Sequence, residues 1–287
     1  MSDRRHNIAA LVAVQITRFV AGIAVSVVLA RQLGVSSYGT YATIATVTHL
    51  LGFAANGGVH QLLPRSVARQ PAEAHRGLLH SALHLTLLTG LFATALTGLW
   101  ALWWRPSVLG AALVAGAALA AMSLVNVYMA LFEGLRRMAL QLRGVLAGRF
   151  VFVAATAGAL WLNTGLVGVF AAQLLAWLVT LGFFAWEGRQ NTPPSEARAP
   201  AWPLLRESLP FAGFVAFAAM QERIDLLLVE AWHDSSEAGL FRGATLFLVN
   251  VPVAARILTT AAYPQLAAAW HQHGAWQGSL RPILRLL

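Results

Sequence analysis

Arg18 lies in an otherwise apolar run, with Gln15, Gly22 and Ser26 three or four residues from their neighbours. That spacing puts all four on one helical face. Gly22 and Ser26 are small enough to leave room beside the guanidinium. A fixed guanidinium fork in a low-dielectric place matches the oxygens of a phosphate. The competing use is an arginine paired with a carboxylate to hold two helices together. A second polar group is Gln221, Glu222, Arg223 and Asp225. Glu222 and Asp225 are three apart and share a side, so they either take up a proton or cation or neutralise the arginines near them. Arg149 and Arg256 are further internal cations that either face a cavity or snorkel to an interface. The Asn250/Pro252 pair predicts a kink before Arg256. His49 and Asn56 are pore-lining candidates.

Catalytic chemistry is not expected. The sequence has no Asp-x-Asp pair and no nucleophile–base constellation, so no catalytic residue is assigned and the chain reads as a non-enzyme. It contains no cysteine, which removes disulfides, thiolate chemistry and cysteine metal sites. His80 and His84 have the spacing of a metal pair, but no third ligand accompanies them, and no metal or cofactor is expected.

The elements that position these residues are membrane helices. Of 287 residues, 58% are hydrophobic and 11% charged, against about 25% charged in a soluble domain. Mean hydropathy is +0.64. The apolar residues fall into blocks long enough to cross about 30 Å of hydrocarbon as helices. The alternating pattern of a membrane barrel is absent. Eight spans are expected, near Ile8–Ala30, Tyr38–Leu63, Leu78–Trp103, Val108–Phe132, Val145–Leu162, Leu166–Trp186, Leu209–Ala231 and Ala238–Tyr263. Gln15, Thr17 and Arg18 interrupt the first block, so it is not a cleaved signal sequence. Trp100, Trp103 and Trp104 mark an aromatic belt. Gly144 and Gly148 form a small-xxx-small packing motif.

All twenty basic residues are arginine, for a net charge of +9. They do not form one patch, which argues against nucleic acid. One set of loops holds Arg4 and Arg5; Arg65, Arg69 and Arg76; Arg136, Arg137 and Arg143; and Arg189, Arg198 and Arg206. The alternate loops hold Arg31 and Arg105, then none. The positive-inside rule puts the richer set, and the amino terminus, in the cytoplasm.

Residues 188–206, with Pro193, Pro194, Pro200 and Pro203, read as a cytoplasmic linker between a six-helix bundle over 1–187 and the start of a second bundle over 207–287. A shift of 200 residues aligns the first two spans with the seventh and eighth. Ser36 then meets Ser236, Gly39 meets Gly239, Tyr41 meets Phe241 and Pro64 meets Pro264. An even number of spans per copy makes these parallel repeats, with a substrate site between them at mid-membrane. The alignment sets Glu222 about one turn beyond Arg18, so a pair between Arg18 and Glu222 or Asp225 across the bundle axis is expected. The second copy holds only two spans before Leu287, so the sequence reads as a fragment or a truncated gene.

Ala30-Arg-Gln-Leu-Gly-Val-Ser-Ser-Tyr-Gly-Thr-Tyr, Asn56-Gly-Gly and Leu63-Pro-Arg65 resemble the start of the polysaccharide-transport proteins. These are O-antigen-type flippases within the multidrug, oligosaccharidyl-lipid and polysaccharide exporter superfamily. Arg223-Ile-Asp225, Glu237-Ala-Gly-Leu-Phe241 and Tyr263-Pro-Gln-Leu-Ala267 resemble the matching elements of the second half. The resemblance implies an all-α polytopic protein with a two-bundle flippase fold of parallel six-helix repeats, here a complete first bundle and two helices of the second. It implies movement of an undecaprenyl-pyrophosphate-linked oligosaccharide from the cytoplasmic to the outer leaflet of a bacterial inner membrane by alternating access, for surface polysaccharide such as lipopolysaccharide O-antigen. Coupling would be to protons, sodium or the membrane potential. Partners would be the lipid-linked oligosaccharide, membrane lipids and polysaccharide polymerase or assembly proteins. Under that reading Gln15, Arg18, Asn56, Arg223 and Arg256 line the substrate cavity and Arg18 holds the pyrophosphate, while Glu222 and Asp225 couple an ion or neutralise charge. The alternatives are a multidrug or metabolite antiporter of the same superfamily and a non-transporting scaffold of a polysaccharide machine.

Overall fold

The computed structural model describes residues 20, 22–56, 58–193 and 201–245, and its elements are all helical. They are α1 (Gly22–Leu33), α2 (Val35–Asn56), α3 (Val59–Arg69), α4 (Ala72–Trp104), a 3₁₀ turn (Pro106–Val108), α5 (Leu109–Gly134), α6 (Met138–Trp161), α7 (Gly165–Asn191), α8 (Ala201–Trp232) and α9 (Ser235–Thr245). Among the described residues, α4, the 3₁₀ turn with α5, α6 and α7 are long and apolar enough to cross a membrane. Helices α1, α2 and α8 lie where the first, second and seventh spans are expected.

The second expected span, Tyr38–Leu63, is not one helix. It breaks between α2 and α3, where Gly58 adopts a left-handed backbone at φ 72°, a conformation that costs glycine nothing and other residues much. A Cβ on Gly58 would also collide with the Ser208 carbonyl of α8. Glycine therefore both makes the elbow and lets it rest on the α8 backbone. Four further boundaries move. Helix α4 starts after Pro71 rather than at Leu78, and α6 starts at Met138 rather than Val145. Helix α7 runs to Asn191 and α8 begins at Ala201, so the expected linker 188–206 is helical at both ends.

Helices α4 to α7 pack through small residues, because no hydrophobic drive draws helices together in lipid and close backbone approach must supply the contact. On the α4–α5 seam, a Cβ on Gly116 would meet Thr94. On the α6–α7 seam, Cβ atoms on Gly144 and Gly148 would collide with Phe184 and Thr180, the packing expected from that motif. Phe184, fully buried, meets Phe132 edge-on at 5.4 Å. The opposite faces carry exposed apolar side chains suited to lipid, such as Phe150 (77% exposed) and Phe217 (71%). Trp103, Trp161 and Trp232 are all exposed where α4, α6 and α8 reach the arginine-poor loops, as an aromatic belt requires.

The seam between α2 and α9 carries the internal repeat. A Cβ on Gly39 would collide with the Ser235 carbonyl and reach within 2.9 Å of the Gly239 amide. A Cβ on Gly239 would collide with the Val35 carbonyl and reach within 3.1 Å of the Gly39 amide. Residue 39 thus faces 235 while 239 faces 35. Such reciprocity is the signature of a two-fold relation, here between the two segments that the 200-residue shift aligns.

Candidate functional site

Polar side chains gather where α2 of the first bundle meets α8 and α9 of the second. Glu230, near the end of α8, is 8% exposed. Its Oε2 lies 3.2 Å from the Thr43 hydroxyl of α2, and its Oε1 accepts a hydrogen bond of 2.8 Å from the Ser235 hydroxyl. Arg105 Nη1, from the turn after α4, donates to the same Ser235 oxygen at 3.3 Å and also lies over the Trp104 ring. A buried carboxylate needs donors, and here they come from both bundles. This clasp therefore crosses the bundle interface beside the Gly39–Gly239 contact.

Near the start of α2, Tyr38 has Ser26 of α1 and Arg242 of α9 as polar side-chain neighbours. Tyr41 stacks on Phe170 at 5.1 Å, and Arg149, Arg223 and Arg242 all lie within electrostatic range of it. Arg223 and Arg242 are also within range of His49. Guanidinium groups of α6, α8 and α9 thus lie within electrostatic range of one stretch of α2. A lone arginine at the centre of a bilayer costs about 2.5–3.5 kcal/mol, and a group of arginines on apolar helices is suited to an anion or a wet cavity.

The expected site residues divide three ways. Gln15, Arg18 and Arg256 lie outside the described residues. Asn56 ends α2 and Glu222 lies on α8, but their side chains are not described. Arg223 belongs to the cluster around α2, whereas Asp225 is exposed and accepts a hydrogen bond from the neighbouring Leu226 amide. The expected pairing of Arg18 with Glu222 or Asp225 therefore falls outside the described side chains. Glu230, Arg242, Thr43 and Tyr38 were not singled out by the sequence. The signals that could have found them were the acid ending the seventh span and the arginine following Glu237-Ala-Gly-Leu-Phe241. Arg149 faces the interior of the bundle rather than snorkelling. No group of three or more metal-ligating side chains occurs among the described residues.

The family profile described as "Polysaccharide biosynthesis protein" matches residues 5–270. The chain belongs to this family. Among curated proteins no sequence matches it. Solved structures similar to this polysaccharide biosynthesis protein include the outward-facing conformation of a multidrug resistance MATE family transporter of the MOP superfamily. That likeness has a TM-score of 0.68 at 16% identity, covering 98% of this chain and 68% of the other. The inward-facing conformation of such a transporter gives 0.68 at 15% identity, covering 96% and 69%. A structure of MATE in complex with MaD5 gives 0.61 at 16% identity, covering 98% and 70%. Both conformations match equally, so the likeness reports the fold and not a conformational state. The likeness is one of fold, that of a multi-pass helical membrane protein, in keeping with the long apolar helices.

Proposed function

We propose that this polysaccharide biosynthesis protein is a flippase that carries an undecaprenyl-pyrophosphate-linked oligosaccharide from the cytoplasmic to the outer leaflet of a bacterial inner membrane. The observation that carries this reading is the set of guanidinium groups around α2. Arg149, Arg223 and Arg242 come from three helices of both bundles, and they favour an anionic headgroup over a cation. The arginine-rich loops orient the amino terminus to the cytoplasm, so the Glu230 clasp and the Gly39–Gly239 contact lie at the outer side. That clasp would have to part for release outward, which fits alternating access between two repeats. The substrate belongs to surface polysaccharide assembly such as O-antigen, with partners among its polymerase and assembly proteins. The expected residues Gln15, Arg18, Asn56, Arg223 and Arg256 would line the cavity, with Glu222 and Asp225 coupling an ion or balancing charge.

The second reading is a multidrug antiporter, favoured by the MATE fold and by the buried acid Glu230. The experiment that separates the two uses the chain in proteoliposomes. Translocation of a fluorescent undecaprenyl-pyrophosphate oligosaccharide is compared with proton-driven uptake of a cationic dye. The flippase reading expects the first activity alone; dye transport without lipid translocation would reverse it.

A further inference from the structure

Helix α6 turns one side to α7, where Phe184 and Thr180 occupy the space that Cβ atoms on Gly144 and Gly148 would take. On the side away from that seam, Arg143, Leu146, Phe150 and Val153 follow at intervals of three, four and three residues, and all four are exposed. That spacing sets them in one column along the helix. The helix is long and apolar enough to cross a membrane. Leu146, Phe150 and Val153 therefore belong to the acyl-chain region, while Arg143, in the second turn after the start at Met138, stands nearer the headgroups.

The turn before α6 adds two exposed arginines, Arg136 and Arg137. Arg137 Nη1 donates to Asn191 Oδ1 at the end of α7, which ties this turn to the bundle. Opposing charge is scarce, because no carboxylate occurs between Glu133 and Glu187 in the sequence. Both glutamates are half-buried, and Glu187 Oε2 accepts a hydrogen bond of 3.3 Å from Asn191 Nδ2. Arg65 and Arg69 on α3 are exposed as well. Helix α3 has only eleven residues, buries Val59, Leu63 and Val67 in the core, and bears no large exposed apolar side chain. Charge alone therefore describes α3, whereas α6 joins charge to a lipid-facing column.

That combination selects the ligand. An acidic soluble protein or a free phosphate would use the arginines and leave the column idle. A phospholipid uses both, with its charge and its chains separated along the helix axis. Arginines with few carboxylates beside them favour a headgroup of net negative charge.

We propose that the arginine-rich end of α6 is a binding site for an anionic phospholipid of the leaflet on that side. Arg136, Arg137 and Arg143 receive the headgroup phosphate, and the column of Leu146, Phe150 and Val153 receives an acyl chain. The inference does not depend on the flippase reading, because this lipid is resident on the exposed side of α6 rather than cargo at the α2–α8–α9 interface.

The test is native mass spectrometry of the full chain released from detergent, with phosphatidylglycerol and phosphatidylcholine of identical acyl chains offered in equal amounts. One phosphatidylglycerol per chain is expected to be retained at least about fivefold in preference to phosphatidylcholine, the scale of one interfacial arginine. Arg136→Gln/Arg143→Gln should bring the two lipids to equal retention. Arg143→Gln alone should remove a large part of the preference, and it serves where the double variant does not yield folded protein. Arg65→Gln/Arg69→Gln, the same loss of charge on α3, should leave the preference as in the wild type. Equal retention of the two lipids by the wild type, or a preference undiminished in the α6 variants, would overturn the proposal. So would an equal loss in the α3 variant, because the attraction would then belong to the whole charged side and not to a site. The readout is lipid retention and not transport, so the failure of this site and the failure of the flippase reading are distinguishable.

Discussion

The α4–α7 bundle and the α2–α8–α9 interface are both built on glycine, yet they use it for different ends. Inside the bundle, Gly144 and Gly148 admit the side chains of Phe184 and Thr180. At the interface, Gly39 and Gly239 admit main-chain carbonyls, and the groups beside them are Thr43, Glu230, Ser235 and Arg105. The first arrangement makes a body that stays together. The second brings two segments close through main-chain contact, polar side chains and a small apolar cluster of Ala42, Leu226 and Ala238. A contact between main chains also tolerates less than one with side chains, because no rotamer change relieves it.

The sharpest way to break this contrast is Gly39→Ala. Its methyl would meet the Ser235 carbonyl, and a destabilisation at or beyond the upper end of about 1–3 kcal/mol is expected, measured as a fall in the thermal unfolding midpoint in detergent. Gly182→Ala, a methyl with nothing within 4 Å, should instead be neutral or stabilise by up to about 1 kcal/mol through helix propensity. Equal effects for the two would refute the close crossing. Next in size is Thr43→Val, which keeps the shape but removes a hydroxyl shared between buried Glu230 and the Gly39 carbonyl. A loss of about 1–3 kcal/mol is expected, and Glu230→Gln in the same background should recover part of it. Without that recovery the Thr43–Glu230 contact has no energetic weight. Gly148→Ala should cost about 1 kcal/mol or slightly more, since the Thr180 side chain can shift where a carbonyl cannot. Arg105→Ala should cost least, within about 1 kcal/mol, because Arg105 is exposed and its bond to Ser235 is long.

Much of this was legible in sequence, and the reasons can be named. Gly144 and Gly148 share a helical face, so their packing role follows from period alone. The Gly39–Gly239 correspondence follows from repetition, and a two-fold relation turns alignment into contact. The tryptophans ending α4 announce the interface by type. The elbow at Gly58 was hidden because apolar residues continue on both sides of Asn56-Gly57-Gly58, and only contact with α8 shows why the chain bends there. Glu230 was hidden because an acid near a span end reads as solvated, and its burial depends on Thr43, 187 positions away. Arg149 was ambiguous because a single helix does not reveal which of its faces meets α7.

The most direct test of the central idea, that the interface arginines receive an anionic lipid headgroup, is the rate of translocation in proteoliposomes of undecaprenyl-pyrophosphate oligosaccharide by the wild type and by Arg223→Ala/Arg242→Ala. The wild type should exceed empty vesicles, and the double variant should be slower by roughly tenfold or more, the scale of losing charge-assisted hydrogen bonds of about 1.5–3 kcal/mol. A wild type no faster than empty vesicles, or a double variant as fast as the wild type with its fold intact, would contradict the account.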